Sequence, residues 1–314
     1  EADAAVGTVV AYAEGTWDQQ QHQLGSTAPY LNANNSLSAG STASALQGKP
    51  SEINIHIPLT MTSKEGIAYF ADNSGIVNVK SLATTVALGH KSIIGYAREK
   101  GVVTIDSDIQ AQDGNATSSK YQNIGIYAGK DGTVNLNGKS IINGIGAFAN
   151  GSNAKVYMNN ISNVVNTGVN GGLIALNGGY IEFNGGDVNN KDNDPDDHRS
   201  TIPFYSDANG SKINFTGSTN INMSNGVLMI DDGTNYTGTS GSSTKYNGMS
   251  NVTVNLLTDN VIIKSISGEN TLWLGGSNFL SSVKFDMKLA DLNTNSHSYK
   301  VYYADGTFEI ATNV

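Results

Sequence analysis

The chain has 314 residues, of which 27 are acidic and 18 basic, giving a formal net charge of -9, and it contains no cysteine. The missing cysteines exclude a disulfide framework and a thiolate metal site, and they fit export through a thiol-oxidising compartment. Without a Lys/Arg stripe the chain lacks the footprint of nucleic-acid binding, and no run of about 18 or more apolar residues is present to span a membrane.

Polarity resides in Asn, Ser, Thr and 36 Gly, residues suited to turns and stacked polar ladders. The start, Glu1-Ala2-Asp3, carries no apolar signal core, so a fragment or mature product is expected, with targeting segments elsewhere. Residues 1–50 hold a glutamine run (Gln19, Gln20, Gln21, Gln23) and a Ser/Ala/Asn-rich tract. They are expected to form irregular N-terminal coils or a cap.

From residue 51 onward apolar residues alternate in short runs closed by Gly, Asn or Asp, such as Ile53-Asn54-Ile55 and Val252-Thr253-Val254. This is the pattern of strands of about three to five residues, and no long segment shows helical spacing. The runs repeat. Phe70-Ala71, Tyr96-Ala97 and Tyr127-Ala128 are each followed by a polar turn, by a glycine five places after the aromatic (Gly75, Gly101, Gly132), and by an alternating strand. Further copies begin at Phe148, Ile174 and Tyr205, giving intervals of 26, 31, 21, 26 and 31 residues.

Coils of that length made only of short strands and turns predict a right-handed parallel β-helix, an all-β solenoid in which each coil buries its inner face on the next. It should occupy residues 51–314. Val77, Val103, Val134 and Ile181, each seven places after its marker, should form one inward column. The recurrent glycine suits a bend needing positive φ. The stacked aromatics suit a ladder within the core or at its edge; the alternative is an exposed stripe that binds a partner. Polar insertions near 111–120, 189–200 and 233–248 should project as loops, where function is easiest to vary.

The run Ile124-Gly125-Ile126-Tyr127-Ala128-Gly129, its echo Gly144-Ile145-Gly146-Ala147-Phe148-Ala149, and strands of the Thr133-Val134-Asn135-Leu136 kind resemble passenger domains of autotransporters, the type V secreted proteins. The pattern is most similar to the large fusobacterial outer-membrane adhesins. The resemblance implies an extracellular β-helix on the surface of a Gram-negative bacterium, held by a C-terminal membrane β-barrel absent from this chain. It further implies a virulence-related role in adhesion to a protein or glycan of host cells or other bacteria. Because proteases and lipases also occur among autotransporters, the architecture alone does not assign an activity.

The strongest local constellation is the acidic loop. Asp192, Asp194, Asp196 and Asp197, with His198 and Arg199 beside them, could contact a ligand or present hard oxygens to Ca²⁺. The loop lacks the glycine and distal glutamate of an EF-hand, however, so a solvated surface loop without metal is the simpler expectation. The candidate bases His22, His56, His90, His198 and His297 stand in no nucleophile motif. Asp231-Asp232 could serve a polysaccharide-cleaving enzyme, or simply solvate a turn. The pairs Gly171-Gly172 and Gly178-Gly179 are expected to be turns and not phosphate cradles. A monomeric adhesin segment with no catalytic residue, metal or cofactor is the expectation. A carbohydrate-active enzyme and a purely structural stalk are the alternatives.

Overall fold

A computed structural model describes residues 9–15, 50–89, 91–112, 123–166, 171–190, 202–207 and 210–223 continuously, together with isolated strand segments elsewhere. Every regular element of more than one residue among them is a β-strand, and the strands stack in parallel as a β-helix. The exceptions are two antiparallel pairs, Tyr30–Leu31 with Leu37–Ser38 and Tyr299–Tyr302 with Phe308–Ala311, the second of which departs from the parallel stack expected over residues 51–314. Each coil contributes one strand to each of three sheets in turn.

The first sheet stacks Val9–Glu14, Ile67–Asp72, Ile93–Ala97, Asn123–Ala128, the second half of Ser140–Asn150, Gly171–Leu176 and Ile202–Ser206. The second begins with Glu52–Ile55 and runs through Ile76–Val79, Val102–Ile105, Thr133–Leu136, Lys155–Met158, Tyr180–Phe183 and Lys212–Phe215 to Tyr246–Asn247. The third runs from Thr60–Met61 through Ile109–Ala111, Ser162–Asn166 and Gly186–Asn190 to Val283–Phe285. Ser140–Asn150 passes unbroken from the third sheet into the first, joining them as fifteen hydrogen-bonded strands beside the eight of the second. The stack already includes Val9–Glu14, inside the region expected to be irregular. Gly15 accepts a hydrogen bond from Ser51 N at 2.8 Å, which brings the end of the strand Val9–Glu14 beside the start of Glu52–Ile55.

The register follows the sequence repeat: Phe70, Tyr96, Tyr127, Phe148, Ile174 and Tyr205 are successive cross-strand partners. The inward column is also present, with Val77, Val103, Val134, Val156, Ile181 and Ile213 in register and fully buried. Beside it Val79, Ile105, Leu136, Met158, Phe183 and Phe215 form a second inner column. Alternation along each strand places these rows inside because one face of every sheet must meet the shared core.

The recurrent glycine has a different cause from the expected one. Positive φ falls on the residues before it, Ser74 (73°), Lys100 (68°) and Asp131 (57°). Gly75, Gly101 and Gly132 instead pass so close to the previous coil that a Cβ would sit 2.2–2.3 Å from the carbonyl oxygen of Ala13, Ala71 or Ala97. Only at Gly210, with φ +79° and open space around it, is backbone conformation the reason.

Candidate functional site

The predicted ligand residues Asp192, Asp194, Asp196, Asp197, His198 and Arg199 lie outside the described residues, as do Asp231, Asp232, His22, His90 and His297. The strands around them show where those segments join the solenoid. Residues 191–201 connect Gly186–Asn190 of the third sheet to Ile202–Ser206 of the first, and residues 113–122 connect Ile109–Ala111 to Asn123–Ala128 across the same corner. Residues 231–245 connect Gly226–Ile230 to Tyr246–Asn247 and so join at another place. His56 is exposed at the end of its strand. Gly171-Gly172 opens the strand Gly171–Leu176 and is not a turn; a Cβ on Gly172 would approach Val188 Cγ1 to 2.9 Å.

The first sheet turns its aromatic ladder outward. Phe70 and Tyr96 stack with centroids 4.6 Å apart and 3° between planes, Tyr96 and Tyr127 at 4.7 Å and 4°, and Tyr127 and Phe148 at 4.9 Å and 13°. Tyr12 extends the ladder at 5.0 Å, tilted by 31°. Phe70, Tyr96, Tyr127 and Phe148 are half-buried, whereas the alanines after them, Ala71, Ala97, Ala128 and Ala149, are fully buried. The reading of a ladder inside the core is thereby overturned.

The reason is space. The inward position directly after each ladder position is a column of small residues, Ala13, Ala71, Ala97, Ala128, Ala149, Ala175 and Ser206, while the bulk of the inner face comes from Tyr69, Ile94, Ile126, Leu173 and Phe204. A Cβ on Gly125 would lie 2.3 Å from Ile142 Cδ1, and one on Gly146 would lie 2.4 Å from Val164 Cγ2. The bulky ring therefore takes the outer side.

A second outward row, Val9, Ile67, Ile93 and Ile124, runs beside the ladder in register, and Ile145, next in the row, is buried. The outer surface of this sheet is thus an apolar strip two rows wide. Its other border is ionic: Arg98 Nη2 meets Asp72 Oδ2 at 2.7 Å, and the guanidinium carbon lies 5.5 Å from the Phe70 ring centroid. The hydrogen bonds that Arg98 donates to the nearly buried Asp72 carboxylate raise the Arg98 pKa further, so its charge is fixed. Burial, with help from Glu14, pushes the Tyr12 phenol up to about 12, and burial raises Tyr96 too. Tyr12 and Tyr96 are therefore uncharged at neutral pH. Because the ladder's ring faces are spent on one another, it offers ring edges and hydroxyls to a partner.

Sequence reasoning found these aromatics but not their direction. Among the described residues no group of three or more His, Cys, Asp or Glu could hold a metal ion.

Compared with known proteins, the chain matches no family model, no curated protein and no solved structure.

Proposed function

We propose that this chain is a passenger segment of a type V outer-membrane adhesin, displayed outside a Gram-negative cell, that binds a surface protein or glycan and catalyses nothing. The observation that carries the reading is the outward apolar strip of the first sheet. A dry solenoid core needs its inner rows, but nothing in the stack requires two rows of isoleucine and aromatic side chains on the outside, exposed at Val9 and Tyr12 and half-buried beyond them, and contiguous apolar surface marks interaction sites. The strip ends at the corner where residues 113–122 and 191–201 join the coil, so the two insertions and the apolar surface are neighbours. Stacked coils supply stiffness without a cofactor, metal or tuned pKa.

The test is adhesion by the purified chain. It should bind cells as a monomer, and deletion of residues 191–199 should weaken that binding while circular dichroism and melting stay unchanged, since loop shortening alters closure entropy only slowly. A chain that binds no cells refutes the adhesin reading in favour of a stalk. Polysaccharide cleavage lost in Asp231→Asn or Asp232→Asn would make it an enzyme. Binding that survives the deletion transfers the contact to the flat faces and withdraws the acidic loop as a site.

A further inference from the structure

The outer surface of the second sheet changes character part-way along the stack. Its outward row begins Asn54, Asn78, Thr104, Asn135, with Asn78 donating to Asn54 at 3.1 Å and Asn135 to Thr104 at 3.5 Å. The next three positions are Tyr157, Glu182 and Asn214, and the adjacent outward row reads Lys155, Tyr180, Lys212. Three strands at about 4.8 Å spacing place all six side chains within a patch about 10 Å across the strands.

Three features set this patch apart from a simple cross-strand ladder. Tyr157 and Tyr180 are not stacked: their centroids are 5.8 Å apart and their planes 57° apart. Unlike the rings of the first sheet, they do not cover each other's faces. Second, Glu182 is held by one oxygen only, Oε2, which accepts from the Tyr180 hydroxyl at 2.9 Å and from Asn214 Nδ2 at 3.4 Å. Asn214 Nδ2 also lies 3.3 Å from the Tyr180 hydroxyl, so the three groups form a closed triangle. Third, Lys155 and Lys212 stand on either side of Tyr180, yet among the described residues neither forms an ion pair with Glu182 or any other carboxylate.

An aromatic surface beside a fixed carboxylate, an amide and two ammonium groups matches one class of ligand. A pyranose ring has an apolar C–H face that packs on an aromatic ring. Its neighbouring hydroxyls each donate and accept, and Glu182 Oε1, left over by the triangle that Asn214 and Tyr180 hold in place, is an acceptor for them. The lysines add donors around the rim. We propose that Tyr157, Tyr180, Glu182 and Asn214, flanked by Lys155 and Lys212, bind one sugar ring of a glycan. The site deepens the adhesin reading, on which it rests for its biological use but not for its chemistry.

The experiment uses the whole chain and saturation-transfer NMR with the methyl glycosides of glucose, galactose, mannose and N-acetylglucosamine, and with free sialic acid. Each is supplied at roughly ten millimolar, enough to populate a site of Kd about 1 mM. At least one sugar should receive saturation. Glu182→Gln, which keeps the side chain's shape, should weaken that sugar about tenfold, the equivalent of one charge-assisted hydrogen bond. Tyr157→Ala should abolish the signal, and Glu182→Gln should melt as the wild type does. Saturation of no sugar, or binding that Glu182→Gln leaves unchanged, overturns the site. Cell adhesion measured on the same proteins separates the two proposals. Sugar binding by a chain that adheres to no cell keeps this site and refutes the adhesin reading. Adhesion unaffected by Glu182→Gln, with no sugar bound, keeps the adhesin reading and refutes the site.

Discussion

Lys100 and Gly101 are neighbours in one turn, and ordinary expectation about them is inverted. Lys100 has φ +68°, in the region glycine prefers. Gly101 has no positive φ, but a Cβ there would lie 2.3 Å from Ala71 O, 2.5 Å from Ala71 C and 2.8 Å from Arg98 O. Gly101→Ala must therefore open the contact between two coils by about 1 Å to restore van der Waals distance. That opening pulls on the backbone bonds beside it, Arg98 N to Ala71 O at 3.1 Å and Val102 N to Gly75 O at 2.9 Å. Overpacking costs about 1–3 kcal/mol and weakening two hydrogen bonds adds about 1 kcal/mol, so a loss near 3 kcal/mol is expected. Lys100→Gly relieves a left-handed residue, worth about 1 kcal/mol, against a similar entropy gain of the unfolded chain, so it should stay within about 1 kcal/mol of wild type. Urea unfolding followed by circular dichroism measures both midpoints. Gly101→Ala unfolding at the wild-type midpoint, or Lys100→Gly losing as much as Gly101→Ala, would refute the close-approach account.

Val134→Asp places a carboxylate in a fully buried column between Val103 and Val156; it should cost on the order of 3 kcal/mol or more, and wild-type melting would disprove the inward assignment. Tyr69 is buried with its hydroxyl 2.8 Å from Thr85 Oγ1, and burial pushes its pKa up to about 12. Its folded value lies above the unfolded one, so its stabilisation is complete below about pH 10 and is lost as pH rises towards 12. Tyr69→Phe should therefore flatten the alkaline fall in melting temperature; an unchanged alkaline profile contradicts this. Asp106 has its pKa lowered, chiefly by the hydrogen bond from Lys80 and also by Asn137. Its contribution is present above about pH 4 and is lost as pH falls through the lowered value, so Asp106→Asn should reduce acid sensitivity in a melting series at low salt.

How far the fold was legible depends on which physical constraint writes itself into a single strand. Parallel stacking puts equivalent residues in register, so a repeat of aromatic, turn, glycine and alternating strand is the hydrogen-bond register itself. Tyr96 to Tyr127, and then Tyr127 to Phe148, could be paired despite intervals of 31 and 21 residues. The inward column through Val103 and Val134 followed, because a small β-branched residue alternating with polar ones has only one side to bury. The glycines were visible too, but not their cause: φ is local, whereas the obstacle at Gly101 is a carbonyl of the preceding coil.

The direction of the aromatics was settled by tertiary structure alone. A strand's alternation divides Tyr127 from Ala128 without saying which is inside, and size favoured the tyrosine. In the stack the position after the ring is a buried column of alanines, Ala71, Ala97, Ala128 and Ala149, and the bulk of the inner face is supplied two places earlier by Tyr69, Ile126, Leu173 and Phe204. The acidic loop was marked by composition, and flanking strands fix only the corner at which it joins. Lys155-Val156-Tyr157 and Tyr180-Ile181-Glu182 look like ordinary outward positions of two strands. Residues 25 and 32 positions apart become one surface only when the coils stack, bringing Glu182 beside Tyr157 and Asn214. A strand's own sequence thus determined its alternation and its register, and coil-to-coil packing determined which face of the aromatic strands is buried and which side chains meet on the outside.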